Sequence, residues 1–352
     1  MNPAPEPLVE YLDREGLGTG ELIIEPIGDG HSNLTYLLRR GEDRMVLRRP
    51  PHGRLAPSAN DIVREARVLD ALRATDVRVP EIFAICEEQD VIGAPFYLMS
   101  FIAGHVLIDR LPPGFGAAAP DRIGTELIEM LVALHAIDVE RAGLSSFGRP
   151  SGYLERQVRR FRGLLEHNAT RPLPELEQVG DWLADNCPES ADVCLVHGDY
   201  RLGNMIFAPD EPRLAAVLDW EMSTIGDPLA DLGYCTAAWA QEGDPDNPVR
   251  DLSRVTRSPG FPDRDELARR YAEATDRSLD LLPWYQVLAL WKAAIFLEGS
   301  YGRFLAGAST DRYFARLDKG VPLLAQEALR WLQKAESGKQ TERRSNGRSS
   351  KR

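Results

Sequence analysis

The chain has 352 residues, 43% hydrophobic and 27% charged, which suits about two ordinary domains or one large two-lobed one and excludes a disulfide miniprotein. Forty-two Lys and Arg against 54 Asp and Glu give a formal charge of −12, so duplex nucleic acid and anionic membranes are disfavoured partners and a polar or cationic small molecule is easier. No apolar run approaches the roughly 18 residues needed to cross a membrane, and the opening MNPAPEPLVEYLDREG is unlike a signal peptide, so a cytoplasmic protein is expected.

Residues 21–49 alternate as strand, turn, strand, turn, strand: ELIIEPI, the small-residue turn GDGHSN, then LTYLLRRGEDRMVLRR. IVREARVLDAL follows, with Ile62, Ala66, Leu69 and Leu72 on one helical face. Glu65 falls inside that apolar arc, and a carboxylate there requires a cationic partner. VPEIFAICEEQDVIGAPFYLMSFIAG adds two or three strands before Gly104. Residues 1–103 therefore read as a sheet lobe with one helix, and residues 104–335 as a helical lobe. In the latter, Ile123, Leu127, Leu131 and Leu134 recur at helical spacing, as do the apolar positions of WYQVLALWKAAIFL and VPLLAQEALRWLQ. The stretch 241–267, rich in Pro, Asp and Ser, reads as a surface loop of the kind that serves as a lid or substrate loop. Residues 336–352 are polar and basic and are expected to be disordered. Cys86, Cys187, Cys194 and Cys235 form no C-x-x-C pair and read as reduced structural thiols.

The chemistry concentrates in VCLVHGDYRLGNMIFAPDEPRLAAVLDWEMSTIGDPLADLGY. The strand VCLV delivers His197, Gly198 and Asp199 onto a loop. MIFA and RLAAVL form a hairpin around PDEP, so the chain leaves at Asn204 and returns at Asp219, bringing Asp199, Asn204 and Asp219 together. One carboxylate free to accept a hydroxyl proton, with an Asn and a second carboxylate offering oxygens to a hard cation, is what phosphoryl transfer from a Mg-nucleotide requires. The spacing D-x-x-x-x-N equals that of the protein-kinase catalytic loop.

HGDYRLGN, LDWE and GDPLAD resemble the motifs of the aminoglycoside phosphotransferase and choline kinase superfamily, and further similarity covers nearly all of residues 20–330. Within it the chain is similar to the kinase-like domain associated with acyl-CoA dehydrogenases. The resemblance implies an α+β, bilobal protein-kinase-like fold and an ATP- and Mg2+-dependent kinase for a small hydroxylated molecule, including a hydroxyacyl-CoA, with a functional link to an acyl-CoA dehydrogenase. It implies Asp199 as catalytic base and Asn204, Asp219 and Glu221 as the metal-binding set, Glu221 being equally readable as a solvated surface carboxylate. Arg48 takes the place of the phosphate-binding lysine of kinases, with Glu65 as its ion-pair partner. Gly28, Gly30, Ser32 and Asn33 would cover the phosphates, and Met99, Ser100, Phe101 and Ile102 would meet the adenine.

His197 reads as a residue that orients its loop, Asp227 and Pro228 as the start of a helix. Arg156, Arg159, Arg160 and Arg162 read as a solvated helix face, or as contacts to an acidic cofactor tail. A non-haem iron triad lacks its second histidine, and no G-x-S-x-G supports a serine hydrolase. The rival functions are aminoglycoside modification, which suits a negative protein, and a pseudokinase that binds nucleotide without turnover. A thioester or acyl acceptor predicts an apolar channel with a basic mouth.

Overall fold

Period-two alternation splits the strands between two cores. The computed structural model describes residues 5–28, 33–51, 61–190, 192–308 and 312–349. Its first part runs through α1 (Pro5–Arg14), β1 (Leu22–Pro26), β2 (Leu34–Arg40), β3 (Asp43–Arg49), α2 (Ile62–Leu72), β4 (Ile82–Cys86), α3 (Gln89–Ile92) and β5 (Phe96–Ser100). The strands pair antiparallel in the order β1-β2-β3-β5-β4. Tyr36, Leu38, Met45, Leu47, Phe96 and Leu98 point to one face and pack with Leu8, Tyr11 and Leu12 of α1. Val46, Tyr97 and Met99 point to the other, against Ile62, Ala66, Leu69 and Leu72 of α2. The sequence reading foresaw α2 alone. The additional α1 closes the outer face, which would otherwise expose a continuous apolar patch.

The crossing into the helical part is tight. His105 exchanges backbone hydrogen bonds with Phe207 at 2.8 and 2.9 Å, and a Cβ on Gly104 would lie 2.1 Å from the Phe207 carbonyl oxygen, so only glycine fits there. Beyond it come α4 (Ala119–His135), α5 (Tyr153–Asn168), α6 (Pro174–Asp185), β6 (Cys194–Val196), β7 (Met205–Phe207), β8 (Leu214–Val217), β9 (Thr224–Gly226), α7 (Pro228–Ala238), α8 (Arg264–Thr275), α9 (Leu282–Leu305), α10 (Arg312–Ala315) and α11 (Leu317–Ser349). Ile123, Leu127, Leu131 and Leu134 are all fully buried on α4. The two later apolar repeats lie in α9 and α11, which pack on each other.

Two segments differ from their expected character. The stretch 241–267 contains a 3-10 segment, Arg250–Arg257, and is anchored: Asn247 Oδ1 accepts the Val249 and Arg250 amides at 3.0 Å, and buried Arg250 meets Glu327 of α11 at 2.7 Å. The segment from residue 336, where composition predicts disorder, has a helical backbone to Ser349. Adding turns to an established helix avoids the nucleation cost that disfavours an isolated one. No helix of the described residues is long and apolar enough to cross a membrane.

Candidate active site

Strand pairing sets the loop that carries Asp199. β6 pairs with β9, Val196 opposite Thr224, and releases the chain at His197. Gly198 turns it with φ +84, and a Cβ there would approach the Met222 carbonyl oxygen to 2.7 Å. The N-terminal turn of α7 holds the loop from behind. Asp231, buried, accepts the amides of His197 at 2.6 Å and Gly198 at 2.8 Å, and its Oδ2 lies 3.3 Å from His135 Nε2. Against the effect of burial, the bonds from His135 and His197 hold its carboxyl below the usual range. Buried His197 accepts the Asp199 amide at Nδ1, 3.2 Å, which leaves Nε2 to donate to the Leu218 carbonyl at 2.9 Å. Its ring therefore ties the loop to the end of β8. Asp227 caps α7, accepting the Leu229 amide at 2.9 Å, and Pro228 is the first helical residue.

The hairpin of β7 and β8 places Asn204 and Asp219 at adjacent ends. Met205 is opposite Val217, and the Leu218 amide donates to the Asn204 carbonyl at 2.8 Å. Asn204 Nδ2 donates to Asp199 Oδ2 at 2.7 Å and to its carbonyl at 2.9 Å. Asp219 has φ 67 and ψ 62, a left-handed conformation of the kind that costs about 1–3 kcal/mol and collects at functional sites. Its Oδ1 accepts from Arg48 at 2.6 Å. Arg201, not singled out in the sequence reading, lies 3.3 Å from both Asp199 carboxylate oxygens. Burial works against its charge, yet Asp199 keeps the guanidinium above its ordinary value.

The carboxylate of α2 lies beside the cation of β3. Arg48 Nε is 3.4 Å from Glu65 Oε2, the glutamate being 1% exposed. Burial, with Asp219 and Glu221 nearby, pushes Glu65 up to about 7 against the pull of Arg48. Asn33 is buried and donates to Glu221 at 3.1 Å and to Glu65 at 3.5 Å, so its side chain joins two carboxylates. Glu221 is partly buried and bonded, which departs from a merely solvated reading. Gly28 is left-handed at φ 75; Gly30 and Ser32 lie outside the described residues. At the end of β5, the Ser100 amide already donates to Glu81 at 2.8 Å, and Met99 pairs within the sheet. Among the described residues no backbone hydrogen bond engages residues 101–103.

A cavity of about 250 Å3 opens from Asp199 into the helical part. Glu221, Asp231 and Lys292 reach it, but most of its wall is apolar, including Met222, Val249, Leu252, Leu288 and Phe296. Val249 and Leu252 come from the anchored 241–267 stretch. Tyr234 also lines it; burial and then Asp199 push its phenol far above the ordinary range. Arg156 donates to the Ser151 and Arg149 carbonyls, and Arg162 meets Asp181. Arg201 could have been found inside HGDYRLGN, two residues from Asp199. Lys292 could have been found as Glu65 was, as a charge within an apolar helix, whereas Tyr234 joins the site only through packing.

An antiparallel sheet over a helical body, with Asp199 and Asn204 in one loop and Asp219 beside them, defines a protein-kinase-like phosphotransferase fold. The chain belongs to the phosphotransferase enzyme family known as APH, whose profile matches residues 23–280. It is 35% identical over 296 residues to acyl-CoA dehydrogenase family member 10 of Mus musculus, covering 83% of this chain but 28% of that protein. The chain thus spans less than a third of that relative. A crystal structure from Ralstonia eutropha, described as a candidate aminoglycoside phosphotransferase, is 31% identical with a TM-score of 0.78, covering 95% of this chain and 99% of that one. The aminoglycoside phosphotransferase APH(4)-Ia, in a ternary complex with AMP-PNP and hygromycin B, shares the fold at 15% identity and a TM-score of 0.58, covering 92% and 97%.

Proposed function

We propose that the protein transfers the γ-phosphoryl group of ATP to a hydroxyl of a small molecule held in the apolar cavity, a hydroxyacyl compound such as a hydroxyacyl-CoA. The observation that carries this reading is that Asp199 lines that cavity while hydrogen-bonded to Asn204 and set beside the end of the hairpin that bears Asp219. Asp199 accepts the acceptor's hydroxyl proton as the oxygen forms its bond to the γ-phosphorus and the bond to the leaving ADP breaks. Arg201 keeps the Asp199 carboxylate oriented.

Asn204 and Asp219 fit a hard cation. With Asn204 Nδ2 engaged by Asp199, its amide oxygen is the group left to coordinate, and Asp219 keeps Oδ2 beyond the oxygen that meets Arg48. Held by Asn204 and Asp219, Mg2+ would supply charge neutralisation for the transferring phosphoryl group. Glu221 is a further candidate oxygen ligand. Arg48 contacts phosphate: its guanidinium lies 3.4 Å from Glu65 and 2.6 Å from Asp219, and its planar fork can serve carboxylate and phosphate oxygens together. Gly28 and Asn33 contribute to the phosphate-binding end of the site, and the unengaged backbone at Phe101 and Ile102 receives the adenine more readily than Met99 or Ser100. The name of the mouse relative supports a functional link to an acyl-CoA dehydrogenase.

Transfer of labelled γ-phosphate with Mg2+ to matched hydroxyacyl-CoAs, aminoglycosides, choline and sugars tests the reading. Label is expected in the hydroxyacyl class, with Asp199→Ala lowering turnover at least about 100-fold, the low end of general-base effects. Label in aminoglycosides alone would replace the acceptor class, and nucleotide binding without any transfer would favour a pseudokinase.

A further inference from the structure

Among the described residues Lys292 is the one cationic side chain on the cavity wall, which the carboxylates of Asp199, Glu221 and Asp231 also line. It lies on α9 within WYQVLALWKAAIFL and is partly buried, facing the same cavity as Asp199. Its ammonium sits 4.9 Å from the centre of the Phe161 ring on α5. Among the described residues it has no hydrogen-bond partner and no carboxylate within ion-pair distance. A ring face compensates only part of the hydration that burial removes from an ammonium. Burial, reinforced by Arg160, accordingly lowers Lys292 to about 8, with Asp231 and Asp199 pulling the other way. The remainder of the compensation has to come from water or from a ligand.

Resting on the kinase reading, we infer that Lys292 determines acceptor choice by binding the negatively polarised oxygen of an acyl group while the chain of that group lies along the apolar wall. Both sources of such an oxygen, a free carboxylate and a thioester carbonyl, offer the same lone pairs to an ammonium. The apolar wall around Leu288 and Phe296 rewards the hydrocarbon part. Asp199 lines the same cavity, so an acyl compound anchored on Lys292 can present a hydroxyl along its chain to that carboxylate. Lys292 is thus a specificity-determining residue rather than part of the proton-transfer machinery.

Calorimetric titration of the full chain with octanoate, S-octanoyl-N-acetylcysteamine and 1-octanol separates these contributions, in wild type, Lys292→Met and Lys292→Arg. Wild type should bind at least one of the two acyl probes about tenfold more tightly than 1-octanol. Lys292→Met should bring that acyl probe to within about twofold of 1-octanol, with 1-octanol unchanged, and Lys292→Arg should restore most of the difference. Whichever acyl probe shows the loss identifies carboxylate or carbonyl as the recognised group. Equal acyl affinity in wild type and Lys292→Met, or no saturable acyl binding by wild type, overturns the inference. So does a Lys292→Met enzyme whose kcat falls with acceptor KM unchanged, since that marks an electrostatic action on Asp199 instead. Binding of these probes needs no nucleotide, so loss of the kinase reading through Asp199→Ala and loss of this inference are read from different data.

Discussion

Glu65 shows what one buried carboxylate demands of its surroundings. Its folded pKa of about 7 stands above the ordinary 4.5, so between those values the folded chain keeps a proton that the unfolded chain has released. Stability must fall as pH rises through that window, the reverse of an ordinary salt-bridged carboxylate. At about 1.36 kcal/mol per pH unit of difference, the contribution reaches roughly 3 kcal/mol. Glu65→Gln removes the titration while keeping the shape. Urea unfolding of both proteins at about pH 5 and pH 7.5 should show the wild type losing up to that amount relative to the variant at the higher pH. An unchanged difference between the two proteins would mean that Arg48 keeps Glu65 ionised throughout. The same ion pair orients Arg48, so nucleotide affinity is expected to weaken in Glu65→Gln at pH 7.5.

At the scale of elements, the loop that carries Asp199 owes its shape to α7. Asp231 accepts two amides that Asp231→Ala would leave buried and unpaired, a loss of roughly 3 kcal/mol or more. Thermal unfolding should therefore report a lower Tm, and at a temperature where the variant is folded, turnover should fall far more than Mg-ATP affinity. Asp231→Asn keeps an acceptor oxygen and should lie between the two. Equal losses of affinity and turnover would place Asp231 outside the loop's support. This element also shows which features the sequence made legible. α2 was readable to its bounds, Ile62–Leu72, because its apolar spacing is regular. The triad of Asp199, Asn204 and Asp219 was readable because a short hairpin forces its ends together. α1 carries little local signal, since only Leu8, Tyr11 and Leu12 mark it within a short segment. The partnership of Asp231 with His135 and the approach of Tyr234 to Asp199 arise from helix packing, which no local pattern encodes.

Across the whole molecule, the sheet is bound to the helical part through α2. Ile62, Ala66, Leu69 and Leu72 belong to the same apolar core as Ile123, Leu127 and Leu131 of α4, and Arg64 donates to the carbonyls of Phe147 at 2.8 Å and Ser223 at 2.7 Å. Arg48 adds its bond to Asp219, and the Arg78 carbonyl accepts the Val217 amide at 2.8 Å. A core shared in this way predicts one cooperative unfolding transition rather than two. All six tryptophans, Trp182 to Trp331, lie in the helical part, whereas Cys86 is the single cysteine before residue 104 and is buried in the sheet. Urea titration followed by tryptophan fluorescence and by mass-resolved alkylation of Cys86 therefore reports the two parts separately. The two midpoints should coincide in the wild type. Arg64→Met removes two bonds from a charged donor, each worth about 1.5–3 kcal/mol, and should bring Cys86 labelling to lower urea than the fluorescence change. Separate midpoints already in the wild type would show that the sheet unfolds on its own and that α2 does not couple it to the site.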